Sequence, residues 1–239
     1  MNPSDFIKQP VYWVVVPAAG VGSRMGANCP KQYLTLLDKT VLEHTLERLL
    51  ALPAINNVYL ALSSADDFWP QLDCAKNPKI IRVNGGDERA DSVLNSLLAL
   101  PVEAQNEDWV LVHDAARPCV RTHEIINLME MVSTHEVGGI LGVPVSDTLK
   151  RVNDTKIEKT VDRNSLWQAQ TPQLFRLGVL RDCLFRALQE GKAITDEASA
   201  LEYYGYSPLM VQGRSDNIKI TRPEDLVIAA ALMQQQING

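Results

Sequence analysis

Val11-Tyr-Trp-Val-Val-Val-Pro-Ala-Ala-Gly-Val-Gly-Ser-Arg-Met25 decides how the rest of the chain is read. Val11–Val16 is continuously apolar and rich in β-branched residues, which predicts a strand covered on both faces. Pro17-Ala-Ala-Gly20 then ends the strand in a turn of small residues. Such a turn lets a ligand approach the backbone, whose free N–H groups can hold phosphate. The two commonest nucleotide motifs fail here in their details. Gly20-x-Gly22 lacks its third glycine because position 25 is Met, and residues 39–42 are Lys, Thr, Val and Leu, with no ribose-binding acid. No Gly-Lys-Ser/Thr follows, so a P-loop is excluded, and a purely structural turn stays open as the alternative.

Outward from this strand, short apolar runs alternate with helical patterns. Val58–Leu62, Ile80–Val83 and Trp109–Val112 read as further buried strands. Thr40–Leu52 is an amphipathic helix with Val41, Leu42, Thr45, Leu46, Leu49 and Leu50 on one face and a Thr40/Glu43 capping box. Asp87 is placed to cap a helix that buries Val93, Leu94, Leu97 and Leu98, and Ile125–Val132 reads as another. Leu177–Gln189 and Asp196–Tyr204 are helices stopped by Gly191 and Gly205, and Pro223 opens a C-terminal helix. This alternation predicts a single Rossmann-like α/β domain over 1–239, with a mostly parallel twisted sheet between helices.

One segment breaks the rhythm. Thr148–Val152 and Ile157–Val161 alternate around Asn153-Asp154, a hairpin signal. From Thr148 to Arg163 five basic and three acidic residues leave a local charge of +2. Two strands alone bury too little to be stable, so this arm, about residues 144–166, is expected to lean on its own domain or on another subunit. A simple surface flap is the plainer reading.

Composition narrows the function. The 239 residues are 46% hydrophobic and 22% charged with a net charge of −6, which argues against nucleic acid and membrane surfaces as partners. Yet Phe6–Leu37, 32 residues, holds no acid while keeping Lys8, Arg24 and Lys31. The four cysteines show no CxxC spacing, and no apolar run approaches a membrane span, so a cytoplasmic protein is expected.

Three clusters carry chemistry. Arg24 and Lys31, framed by Gly26 and Pro30, suit a loop that folds over a polyphosphate and stabilises charge on its oxygens. His113-Asp-Ala-Ala-Arg-Pro118 follows a buried strand, where open α/β sheets bind ligands. Asp114 there can hold Mg²⁺ or a sugar hydroxyl and Arg117 a phosphate, or the two can simply pair. His113 fits a buried, hydrogen-bonded role better than that of a base. Gly85-Gly-Asp-Glu-Arg-Ala-Asp-Ser92 suits base or ribose recognition, or is a capped turn.

Pro17–Met25 with Pro30-Lys31-Gln32 resembles the signature of nucleotide-sugar pyrophosphorylases and cytidylyltransferases. His113–Pro118 resembles that of the 2-C-methyl-D-erythritol 4-phosphate cytidylyltransferase family. Gly85–Ser92, Thr148, Thr160–Asn164, Thr195–Ser199 and Asn217–Lys219 fall in that family's order, so the resemblance spans about residues 11 to 230. A related family acting on ribitol or ribulose 5-phosphate keeps similar loops, so substrate identity is less determined than reaction class. A nicotinamide-dependent oxidoreductase and a binding module without turnover are the remaining alternatives. The resemblance implies a chain without the cyclodiphosphate synthase domain of bifunctional relatives.

The resemblance implies transfer of the cytidylyl group of CTP to a sugar-alcohol phosphate, with Mg²⁺ held mainly by the triphosphate. It implies that Arg24 and Lys31 act at the α-phosphorus and that Arg163 and Lys219 position the incoming phosphate. Thr148, Arg117, Thr171 and Thr195 would assist them. Pro17, Ala18, Ala19, Gly20, Gly22, Gly86, Asp87, Ser92 and Ala115 would line the CTP site, with Asp114 beside sugar and metal. No direct metal cluster is expected. It further implies a homodimer in which the arm carries Thr148 and Arg163 into the partner's site; the residues themselves leave cis or trans open.

Overall fold

In the computed structural model, which describes residues 11–20 and 29–238, the decisive strand is β1 (Tyr12–Pro17). Val14 and Val16 pack into one core and Trp13 and Val15 into the other. Both faces are therefore buried, as an unbroken apolar run requires. A two-residue ribbon, β2 (Thr35–Leu36) with β3 (Lys39–Thr40), leads into α1 (Val41–Leu50). The Thr40/Glu43 capping box forms as expected, with Thr40 Oγ1 accepting from the Glu43 N–H at 3.2 Å. The helix stops at Leu50, two residues short of the predicted Leu52, and Leu50 is only half-buried.

The chain continues through β4 (Ile55–Leu62), β5 (Ile80–Asn84), α2 (Arg89–Leu98), β6 (Trp109–Val112), α3 (Thr122–Val132) and β7 (Gly138–Pro144). The arm follows as β8 (Leu149–Asn153) and β9 (Lys156–Val161), then β10 (Trp167–Arg176), α4 (Leu177–Gln189), α5 (Glu197–Glu202), β11 (Leu209–Gln212) and α6 (Pro223–Asn238). Seven strands form one sheet in the order β11-β7-β10-β6-β1-β4-β5. All neighbours are parallel except β10, which runs against both β6 and β7. The mostly parallel α/β expectation holds.

Helices α1 and α3 cover one face through Leu42, Leu46, Leu49, Ile125 and Leu128. Helices α2, α4 and α5 cover the other through Val93, Leu97, Leu180, Leu184 and Leu201. A third cluster (Leu36, Val41, Ala116, Cys119, Ile220, Ala229, Met233) clamps α6 and the segment before it onto the loop after β6. That clamp sets the position of Lys219.

Several local expectations are corrected. Leu98 is 62% exposed because it lies at the last turn of α2, beyond the contact stripe. Glu88, not Asp87, begins that helix, in a reciprocal box with Asp91. Strands β7, β10 and β11 have no counterpart among the sequence-based expectations. β7 opens Gly138-Gly139, where a Cβ would stand 2.0 Å from the Leu174 carbonyl oxygen at one position and 2.6 Å from that of Leu209 at the other, so neighbouring strands, not propensity, define it. β10 contains Pro172, which sits where its register with β7 shifts between Ala169 and Gln173. The hairpin is as expected: Leu149 pairs with Val161 and Asn153 with Lys156, and Asp154 turns at φ 52°. Val152 and Ile157 stay exposed on it. Among the described residues no helix is long and apolar enough to cross a membrane.

Candidate active site

After β1 the chain goes to β4 and β5 on one side, then crosses back to β6 on the other. The crevice outside the strand ends at such a switch point is where open α/β sheets bind ligands. It holds a cleft of about 310 Å³ lined by Pro17, Ala18, Ala19 and Gly20 after β1, and by Gly86, Asp87, Glu88, Arg89 and Ser92 after β5. Asp114, Ala115 and Ala116 after β6 complete it, with Lys31, Gln32 and Lys219. A second lobe of about 250 Å³ adjoins it and adds Arg117, Gln170, Thr171, Gln173, Thr195 and Asp196. Arg89, Asp114 and Lys219 line both lobes and form the boundary between them.

The two glycine-containing loops meet closely. A Cβ on Gly85 would come within 2.4 Å of the Ala19 Cβ, so this position requires glycine. Ser92 Oγ accepts from the Gly86 N–H at 3.0 Å and donates to the Glu88 carbonyl at 3.2 Å, which shapes the loop from inside. Gln32 Nε2 donates to the Ala18 carbonyl at 2.7 Å and ties the Lys31 segment to the first turn. Lys31 Nζ donates to the Ile220 carbonyl at 3.1 Å, beside Lys219.

Asp114 is the hub. Its Oδ1 accepts from Arg89 Nε at 3.0 Å, its Oδ2 lies 2.7 Å from Lys219 Nζ, and Arg117 Nε is 3.8 Å from Oδ2. Burial alone would raise its pKa, but Arg89, Lys219 and Arg117 hold the carboxyl well below the usual range. The Asp–Arg pair envisaged from the sequence forms only loosely; Arg117 instead donates to the Asn217 carbonyl at 2.6 Å. Burial draws the pKa of Arg117 down, although Asp114 opposes it.

His113 is fully buried, and burial lowers its pKa to about 4. It is therefore neutral near pH 7. Its Nε2 lies 3.1 Å from the Arg117 carbonyl oxygen, which can only accept, so Nε2 carries the proton. Nδ1 then accepts from Thr171 Oγ1 at 3.1 Å, and Thr171 Oγ1 accepts from the Asp114 N–H at 3.0 Å. This chain orients Thr171 and Asp114; it presents no base to a ligand. The structural role expected for His113 follows from that geometry.

The structure thus gathers Pro17, Ala18, Ala19, Gly20, Lys31, Gly86, Asp87, Ser92, Asp114, Ala115 and Lys219 in the first lobe, and Arg117, Thr171 and Thr195 in the second. Gly22 and Arg24 lie outside the described residues. Thr148 and Arg163 line neither lobe; both are exposed on the arm, where Arg163 Nη1 donates to the Ser146 carbonyl. Among the described residues, no group of three or more His, Cys, Asp or Glu could hold a metal.

Sequence reasoning passed over Arg89 and Glu197. Arg89 Nη1 and Nη2 reach Glu197 Oε1 and Oε2 at 2.6 and 3.0 Å. One signal was present: a cation in the first turn of α2 opposes the helix dipole, so another partner must hold it. Glu197 gave none, because an acid in a first helical turn is unremarkable.

A mostly parallel sheet whose strand ends open on two cation-lined lobes defines a nucleotide-binding α/β protein built for phosphate chemistry. The family model of 2-C-methyl-D-erythritol 4-phosphate cytidylyltransferase matches residues 12–235. The enzyme of that name from Vibrio vulnificus (strain CMCP6) is 57% identical over 223 residues, 93% of this chain and 94% of the relative. That from Hahella chejuensis is 51% identical, covering 97% and 96%. A crystal structure of 4-diphosphocytidyl-2C-methyl-D-erythritol synthase superposes with a TM-score of 0.83 at 40% identity, covering 95% of this chain and 99% of that one. The Francisella tularensis 2-C-methyl-D-erythritol 4-phosphate cytidylyltransferase gives 0.82 at 39%, covering 93% and 99%. This chain belongs to the 2-C-methyl-D-erythritol 4-phosphate cytidylyltransferase family. The dinucleotide oxidoreductase alternative falls away with that membership.

Proposed function

We propose that the protein transfers the cytidylyl group of CTP to 2-C-methyl-D-erythritol 4-phosphate in non-mevalonate isoprenoid biosynthesis. The products are 4-(cytidine 5'-diphospho)-2-C-methyl-D-erythritol and pyrophosphate. The observation that carries this reading is the pair of adjoining lobes sharing Asp114 and Lys219 at their boundary. One lobe suits a nucleotide and the other a small phosphorylated polyol, with the reacting phosphates meeting between them.

The nucleophile is an oxygen of the sugar phosphate, already anionic near neutral pH. It forms a bond to the α-phosphorus of CTP as the α–β bridging bond breaks, and pyrophosphate leaves with the electron pair. No general base is required, in keeping with a buried, neutral His113. Catalysis is positioning and charge neutralisation. Lys31 and Arg24 stabilise charge on the α-phosphate and the leaving oxygens. Lys219 receives the incoming phosphate with Arg117, Thr171 and Thr195, and backbone around Ala18, Gly20, Gly86 and Asp87 reads the cytosine.

Asp114 suits a magnesium ion that rides on the triphosphate. Each of its oxygens makes one close ion pair and keeps a further lone pair, and one or two carboxylates suffice when phosphates supply the other ligands. When bound, such an ion would help neutralise the charge of the triphosphate.

The protein works as a cytoplasmic homodimer joined through the arm, with Thr148 and Arg163 serving the partner's second lobe. Neither residue lines a lobe of its own protomer, and the arm is too small to stabilise itself; both support this. A monomer of full activity in sedimentation at micromolar concentration would overturn it. The reaction is tested by pyrophosphate release from CTP, which must require both magnesium and methylerythritol phosphate. Equal or faster turnover with ribitol 5-phosphate would reassign the acceptor.

A further inference from the structure

We infer that Glu197 is a positioning residue for Lys219, acting through Arg89 and Asp114. The inference rests on the proposed transfer and deepens it. Glu197 is wholly buried at the start of α5, yet that helix does not use it as a cap: Asp196 and Ser199 form the reciprocal box there. A buried carboxylate is costly unless paired, and both oxygens of Glu197 are taken by the Arg89 fork. With the fork held on that side, Arg89 turns only its Nε to Asp114 Oδ1, 3.0 Å away. Asp114 Oδ2 is thereby left for Lys219 Nζ at 2.7 Å.

Three cations (Arg89, Arg117, Lys219) and two carboxylates (Asp114, Glu197) make up the group. Without the charge of Glu197, Asp114 becomes the one carboxylate of the group left to Arg89 and is drawn toward it. Lys219 then loses the partner that fixes its ammonium at the lobe boundary. Glu197 itself lines neither lobe, so it acts on substrate only through this relay.

The test is a double-mutant cycle on the full-length enzyme, with KM measured separately for each substrate. Glu197→Gln should raise KM for methylerythritol phosphate roughly tenfold, the scale of one charge-assisted hydrogen bond, and raise KM for CTP by a smaller factor, because most of the CTP lobe lies away from Lys219. In a Lys219→Ala background the same substitution should add less than about twofold, because its target is gone. An unchanged KM in Glu197→Gln, an equal rise for both substrates, or a full additive effect on Lys219→Ala would each overturn the relay. If Glu197→Gln fails to fold by circular dichroism, Glu197→Asp carries the same cycle, since its shorter side chain keeps the charge but cannot hold both terminal nitrogens of Arg89. A wild-type enzyme that turns over CTP only with another acceptor defeats the substrate reading instead, and the cycle is then read with that acceptor.

Discussion

Acid should weaken the fold through His113. The imidazole is fully buried, and its pKa is lowered from 6.5 to about 4 by burial. In the unfolded chain it takes up a proton as pH falls through 6.5; in the folded protein it stays neutral until about 4. Its contribution is therefore complete above the unfolded pKa and is lost as pH falls below it. Integrating one proton from about pH 7.5 to about pH 5 gives a loss of about 2 kcal/mol. For a chain of this length that lowers Tm by roughly 4–8 °C. Chemical denaturation at the two pH values, in wild type and in His113→Gln, isolates the residue. The variant keeps an Nε2 donor for the Arg117 carbonyl but cannot titrate. It should be weaker at pH 7.5 by about 1 kcal/mol for the lost Thr171 bond, yet lose about 2 kcal/mol less than wild type on acidification. Equal pH dependence in both proteins, or ¹⁵N shifts showing protonation of His113 near 6.5 in the folded state, would refute the reasoning.

Other consequences are equally measurable. Lys31→Ala should lower kcat by roughly 10²-fold or more at saturating substrates, as for loss of one preorganised donor, and a fall of only a few-fold would remove its charge-stabilising role. Gly85→Ala forces the loops after β1 and β5 apart at Ala19, so calorimetric titration should show CTP binding weakened roughly tenfold. Asp108→Ala strands the buried indole N–H of Trp13 and the Gln105 N–H, now held at 3.0 and 2.9 Å, and should cost roughly 2–4 kcal/mol in urea unfolding with activity retained below the transition.

Elements with strong local signals are legible in the amino-acid sequence. Val11–Val16, Thr40–Leu52 and the hairpin around Asn153-Asp154 carry their own period, cap or turn, and each forms close to its expected bounds. Strands that carry little local signal are not legible in this way. Gly138–Pro144 and Trp167–Arg176 hold glycine and proline where propensity disfavours a strand, and only their neighbours in the sheet define them. The site divides along the same line. Lys31 and Asp114 lie in motifs framed by Gly, Pro or a strand end, and Lys219 is reached from the sequence through the family resemblance. Arg89 and Glu197, by contrast, show their roles only where α2 and α5 come together, 108 positions apart in sequence.

By itself, then, the sequence determined the alternating α/β class, the turn of small residues after the first strand, the arm and the residue types of the cleft. Each of these rests on interactions within a few positions of the chain: side-chain period, caps, turn chemistry and local charge. The tertiary structure alone decided that the loops after β1, β5 and β6 converge at one switch point and that β10 runs against its neighbours. It also decided that the buried Glu197 takes both terminal nitrogens of Arg89, so that only its Nε reaches Asp114. Those are long-range facts, set by strand order and by the need of buried charges for partners wherever the fold brings them.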